Sequence, residues 1–102
     1  VELLLQRGAD ANLQKSNGNT ALMAAAGQGH ERVVELLLQR GAEINKQNNG
    51  GFTALTNAAS NGHERVVDLL IRHGAEVNLH SSIGTALMLA ANYGHERVVD
   101  LL

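Results

Sequence analysis

The sequence predicts a mainly α solenoid of stacked helix-turn-helix repeats joined by β-hairpin fingers, and three observations carry that prediction. The block Gly-His-Glu-Arg-Val-Val occurs three times, starting at Gly29, Gly62 and Gly94. Gly8, Gly41 and Gly74 each open a Gly-Ala-Asp/Glu step and lie 33 residues apart. Within each period, apolar residues follow helical spacing twice, with a glycine between the two runs. A fixed period of this length marks supersecondary units that cannot bury their apolar faces alone and do so by stacking.

Each element follows from local chemistry. Thr20, Thr53 and Thr85 each precede an alanine. A threonine hydroxyl accepts from the free amides of a first helical turn, and alanine is the strongest helix former. Small residues such as Ala24, Ala25 and Ala26, or Ala58 and Ala59, leave room for a neighbouring repeat. Gly29, Gly62 and Gly94 then permit a sharp reversal. In the second helix Val33, Val34, Leu36, Leu37 and Leu38 form an apolar face, as do Val66, Val67, Leu69, Leu70 and Ile71, and Arg32, Glu35, Gln39 and Arg40 are left for water. Gly41 and Gly74 end these helices, with Arg40 or His73 near the negative end of the dipole. Turn-forming residues from Asn45 to Gly51 read as an exposed finger. The spacing predicts helices over 21–28, 31–40, 54–61, 64–73, 86–93 and from 96 to the end.

One residue is missing from the last period. His30 to His63 is 33 positions and His63 to His95 is 32. Asn12 to Thr20 and Asn45 to Thr53 span 8 positions, whereas Asn78 to Thr85 spans 7, which places the deletion in the finger. The whole chain, 1–102, is read as one solenoid: a partial repeat 1–17, repeats 18–50 and 51–83, and a partial repeat 84–102. Val1-Glu2-Leu3-Leu4-Leu5 aligns with Val34–Leu38, and Asp100-Leu101-Leu102 with Glu35–Leu37, so neither end reads as a polar cap. Solenoid ends need such caps. The expectation is an interior segment of a longer array, with Leu3, Leu4, Leu101 and Leu102 lacking a neighbour and further repeats on both sides.

The order Thr-x-Leu, Ala-Ala, Gly-His, Val-Val-x-Leu-Leu and Gly-Ala-Asp/Glu-x-Asn, repeated along the whole chain, resembles the ankyrin repeat. One departure is consistent. The family's Thr-Pro-Leu-His tetrapeptide reads Thr20-Ala21-Leu22-Met23, Thr53-Ala54-Leu55-Thr56 and Thr85-Ala86-Leu87-Met88. The resemblance therefore implies looser capping of the first helices, because the family's Thr and His share a hydrogen bond there. It also implies that Met23 and Met88 are buried at the inward fourth position, with Thr56 the weak copy.

Composition closes off other classes. The chain is 44% apolar but has no run long enough to span a bilayer, and no signal peptide is visible. Cysteine is absent, which excludes disulfides and thiolate metal sites and favours an intracellular setting, cytoplasmic or nuclear. With 8 basic and 10 acidic residues, net −2, nothing argues for nucleic acid or anionic membrane.

No catalytic, cofactor-binding or metal site is predicted. His30, His63 and His95 recur at one register, but equivalent atoms of stacked helices lie about 8–10 Å apart, too far to share an ion bound at about 2.1 Å. They read as turn histidines bonding nearby backbone. Arg32/Glu35, Arg65/Asp68 and Arg97/Asp100 read as solvated i,i+3 pairs worth about 0.2–0.5 kcal/mol each. The glycines match no phosphate loop.

The aromatics point outward. Phe52 and Tyr93, the only two, precede a helix-starting threonine and a turn glycine. By resemblance these are variable positions on the concave side, through which ankyrin arrays touch their targets. The same resemblance nominates Gln14, Ser16, Asn17 and Asn19, then Gln47, Asn49 and Asn61, then His80 and Ile83. The expected function is a non-enzymatic module that binds a protein partner through its concave finger and first-helix face. The alternatives are a structural spacer, a consensus-like array without a natural target, or the regulatory array of a larger enzyme.

Overall fold

A computed structural model describes residues 12–102. Six helices run in three pairs: α1 (Ala21–Gln28) and α2 (Glu31–Gln39), α3 (Ala54–Ser60) and α4 (Glu64–Arg72), α5 (Ala86–Asn92) and α6 (Glu96–Leu101). The first helices stack as α1 on α3 on α5 and the second helices as α2 on α4 on α6, making two layers. The expected boundaries hold to within one residue at every described helix end inside the chain.

The core lies between the layers. Leu22, Ala26, Val34, Leu37, Leu55, Ala58, Val66, Val67, Leu70 and Ala90 are all buried in one cluster. Alanines line the first-helix layer because the stacked backbones approach closely there, and valine and leucine fill the space toward the second layer. Full burial of each larger side chain contributes about 1.5–3 kcal/mol, and this offsets the ordering cost that a single short helix cannot meet alone.

Capping differs among the first helices. Thr20 Oγ1 accepts from Met23 N at 3.3 Å and Thr85 Oγ1 from Met88 N at 3.4 Å, one long bond each. At the middle repeat the cap closes on itself. Thr56 N donates to Thr53 Oγ1 at 3.2 Å, and Thr53 N donates to Thr56 Oγ1 at 2.7 Å. This is a reciprocal capping box. Thr56 is 2% exposed and its hydroxyl also donates to Thr53 O at 3.0 Å. The weak-copy expectation for Thr56 is thus overturned, since a short hydroxyl reaches the cap amide that a methionine cannot satisfy.

The methionine expectation holds at one site and fails at the other. Met23 is 1% exposed, but Met88 is 56% exposed. Helix α1 is covered by α3, whereas α5 has α3 on one side and no further described first helix on the other. The expectations for Leu3 and Leu4 lie outside the described residues. Leu101 is 39% exposed and Leu102 is half-buried.

The fingers differ from the expected β-hairpins. Among the described residues there is no strand, only an isolated bridge between Ser81 and Gly84. Each tip is a tight turn. Lys15 N donates to Asn19 O at 2.8 Å and Asn48 N to Phe52 O at 2.9 Å, both four residues on. In the third finger Ser81 N donates to Gly84 O at 2.9 Å, three residues on. The deleted residue has therefore been taken from the tip, and these turns are too short to extend a two-stranded ladder.

Candidate functional site

The fingers stack on one another through backbone and amide side chains. Asn49 N donates to Asn17 O at 2.9 Å and Ser82 N to Gly50 O at 2.6 Å. Gln14 Nε2 donates to Gly18 O at 2.9 Å and to Gln47 O at 3.2 Å, and one repeat on Gln47 Nε2 donates to Gly51 O at 3.0 Å and to His80 O at 3.2 Å. Asn49 Nδ2 reaches Ser16 O at 3.1 Å, and Asn48 Nδ2 reaches the Asn19 side-chain oxygen at 2.7 Å. Below them Asn12 Oδ1 accepts from Glu43 N at 2.6 Å and Asn45 Oδ1 from Glu76 N at 2.7 Å. The nominated amides thus hold the finger row in register, a role that a single-repeat pattern does not carry.

The sequence-nominated residues fall in two groups. Gln14, Ser16, Asn17, Gln47, Asn49, Asn61, His80, Ile83 and Tyr93 are exposed, and Asn19 and Phe52 are half-buried. Phe52 does not stand free. Its ring lies over Gly50, where an added Cβ would come within 3.1 Å of it, and its amide donates to Asn48 Oδ1 at 3.0 Å. Tyr93 is 56% exposed, with its ring centroid 6.3 Å from that of His95. Asn61 is anchored on one side, since its Nδ2 donates to Gly27 O at 2.9 Å. Gln28, exposed at the same register one repeat before Asn61, was not nominated, although aligning the repeats places Gln28, Asn61 and Tyr93 in one row. Ile83 and Leu13 are 60% and 72% exposed at the fingers.

His63 and His95 do not bond their own turns as expected. His63 Nε2 lies 3.0 Å from Gly27 O and His95 Nε2 lies 2.9 Å from Ser60 O, so each ring reaches back to the last turn of the preceding first helix. There it satisfies one of the carbonyls that every helix end leaves open. The ring occupies the space beside the preceding turn glycine. A Cβ on Gly29 would lie 2.7 Å from His63 Nδ1, and one on Gly62 would lie 2.7 Å from His95 Nδ1. Both glycines also have positive φ, 76° and 75°, so two independent constraints select glycine there. His73 Nδ1 lies 2.9 Å from Leu69 O at the end of α4.

The second-helix layer carries the charge. Arg32 pairs with Glu35 at 3.3 Å as expected. Arg65 and Arg97 do not pair three residues on. They reach Glu31 and Glu64 of the preceding repeat, at 3.9 and 3.3 Å, and Asp68 instead pairs with Arg72 at 3.0 Å. An aspartate is one methylene shorter than a glutamate, and stacking brings the neighbouring repeat's longer carboxylate within reach. A groove of about 540 Å³ on this layer is lined by Arg65, Arg72, Arg97, Asp68, Asp100 and Leu69 among others, and none of the nominated residues borders it. Its charges are largely satisfied by each other. Among the described residues no group of three or more His, Asp or Glu is placed to hold a metal ion, and no helix is long and apolar enough to cross a membrane.

A two-layer stack with period-33 bonding is the geometry of a helical repeat array, and a family model for ankyrin repeats in three copies matches residues 1–81 and 33–102. The chain belongs to the ankyrin-repeat family. Ankyrin repeats are generally protein–protein interaction modules and typically non-enzymatic. No curated protein matches this ankyrin-repeat chain.

Proposed function

We propose that residues 1–102 act as one interaction unit, with complete repeats at 18–50 and 51–83, which binds a protein partner through the fingers and the exposed side of the first helices. The observation that carries this is the distribution of exposed apolar groups. Tyr93 and Ile83, 56% and 60% exposed, belong to a first-helix end and a finger, and Phe52 stands at the base of a finger already seated over Gly50. Aromatics with few rotatable bonds bury large area at low entropic cost, and a ring that is already packed loses less freedom on binding. The second-helix layer offers mainly paired charges, and exposed pairs of that kind contribute little. Leu101 of α6 is its one exposed large apolar group among the described residues.

The finger amides support the reading in a second way. Because Gln14, Gln47 and Asn49 tie each finger to the next, the face is held rigid before a partner arrives. The test is capture of partners by the wild-type chain compared with Phe52→Ala, Tyr93→Ala and Arg32→Ala variants, followed by titration of the captured protein. Loss with both aromatic variants and retention with Arg32→Ala is the expected result. Equal capture by all four proteins would remove this face as the binding surface.

A further inference from the structure

The described charges are divided between the two layers. Residues 12–29, 45–62 and 78–94, which make the fingers and first helices, contain Lys15 and Lys46 and no Asp or Glu at all. The second helices and the turns after them hold the rest, from Glu31 and Arg32 through to Arg97 and Asp100. Lys46 is itself drawn toward that side by Glu43, at 3.4 Å. The finger and first-helix face is therefore a nearly neutral surface of amides, hydroxyls and apolar groups. Its exposed rows are Ser16, Asn49 and Ser82 at the finger tips and Gln28, Asn61 and Tyr93 at the helix ends.

We infer that this face takes an extended, uncharged peptide segment. The inference rests on the interaction reading above and names the chemistry of the partner. A basic residue docked there loses hydration and finds no carboxylate to replace it. An acidic one meets only Lys15 at the first finger among the described residues, Lys46 being engaged by Glu43, a cost that selects against charge along most of the bound segment. Side-chain amides and hydroxyls instead offer both donors and acceptors, which suits backbone amides and small polar side chains. The row spacing fits an extended chain. Stacked helices repeat every 8–10 Å or so, and an extended strand covers about 10 Å in three residues, so successive repeats meet every third residue of a segment laid along the stack. Tyr93 supplies an apolar contact at one end of the row.

The test selects binders from a phage-displayed library of random peptides and measures the affinity of the resulting synthetic peptides at about 50 and 500 mM NaCl, a range over which exposed charge interactions are strongly screened. The expected result is enrichment of peptides poor in Asp, Glu, Lys and Arg, with affinities that change less than about twofold with salt. Substituting Gln28→Glu together with Ser82→Glu, two side chains outside the stacking bonds, is expected to weaken those peptides severalfold. Charged, salt-sensitive peptides whose binding is still lost with Phe52→Ala and Tyr93→Ala would overturn this inference and leave the face assignment standing. Peptides that bind both aromatic variants as well as wild type would overturn the face assignment itself. Failure to enrich any peptide would refute a linear segment as the occupant.

Discussion

Replacing Gly62 by alanine tests the contact that joins neighbouring repeats. Gly62 has φ 75°, and an alanine there pays about 1–2 kcal/mol for a left-handed backbone. The new Cβ would also sit 2.7 Å from His95 Nδ1 and 2.8 Å from Cε1, closer than any real contact allows, and the ring must leave. Its 2.9 Å bond to Ser60 O goes with it, worth about 1 kcal/mol net. Gly62→Ala should therefore cost about 2–3 kcal/mol in total. Gly41→Ala is the control. Gly41 has φ 90° but nothing within 4 Å of an added Cβ, so it should cost only the backbone term, about 1–2 kcal/mol. Urea unfolding followed by far-ultraviolet circular dichroism measures both, provided the slope with denaturant stays constant. A double-mutant cycle of Gly62→Ala with His95→Ala should show a coupling of about 1–2 kcal/mol, because the clash vanishes when the ring does. Equal costs for the two glycine variants, or no coupling, would refute the idea that the ring and the turn are fitted to one another.

Three further outcomes are expected. Thr56→Met should destabilise the chain by about 1–2 kcal/mol, since it removes the acceptor for Thr53 N and leaves a buried donor; an unchanged or raised melting temperature would show that the capping box is dispensable. Tyr93→Ala should leave the melting temperature nearly unchanged, as the side chain is mostly exposed, and weaken partner binding by about 1–2 kcal/mol; titration with parallel circular dichroism separates the two effects. Arg97→Gln should cost less than about 0.5 kcal/mol, because its bridge to Glu64 is exposed; a larger loss in urea unfolding that persists at high salt would mean that the inter-repeat bridges carry more of the stack than their exposure suggests.

The helices were legible because each is written three times with its stop signals attached, and glycine turns fix boundaries that amphipathic spacing alone leaves loose. What was not legible depends on pairs about one period apart. His63 was assigned to its own turn although it bonds Gly27 O, and Arg65 was assigned to Asp68 although it reaches Glu31. Local spacing shows which residues share a helix face but not which neighbour a side chain prefers once repeats stack. Gln14, Gln47 and Asn49 were nominated for a partner on the same local grounds, and the structure shows them engaged between fingers. The aromatics differ in a similar way. Tyr93 is exposed as expected, whereas the packing of Phe52 over Gly50 depends on a turn conformation that the dipeptide Gly50-Gly51 permits without announcing.

The fit of each histidine into the notch beside the preceding glycine bears on how such a chain changes length. The repeat over 51–83 carries both halves of the joint, the Gly62 notch at its own turn and the His63 ring that fills the Gly29 notch before it. Duplication or loss of a whole period therefore rejoins a matched pair wherever the break falls, and no new interface has to be invented. A break that shifts the count inside a helix would separate ring from notch, whereas the one-residue loss seen in the third finger leaves the joint between His95 and Gly62 closed. The departure from the period in this chain accordingly falls at a finger tip, away from the joint.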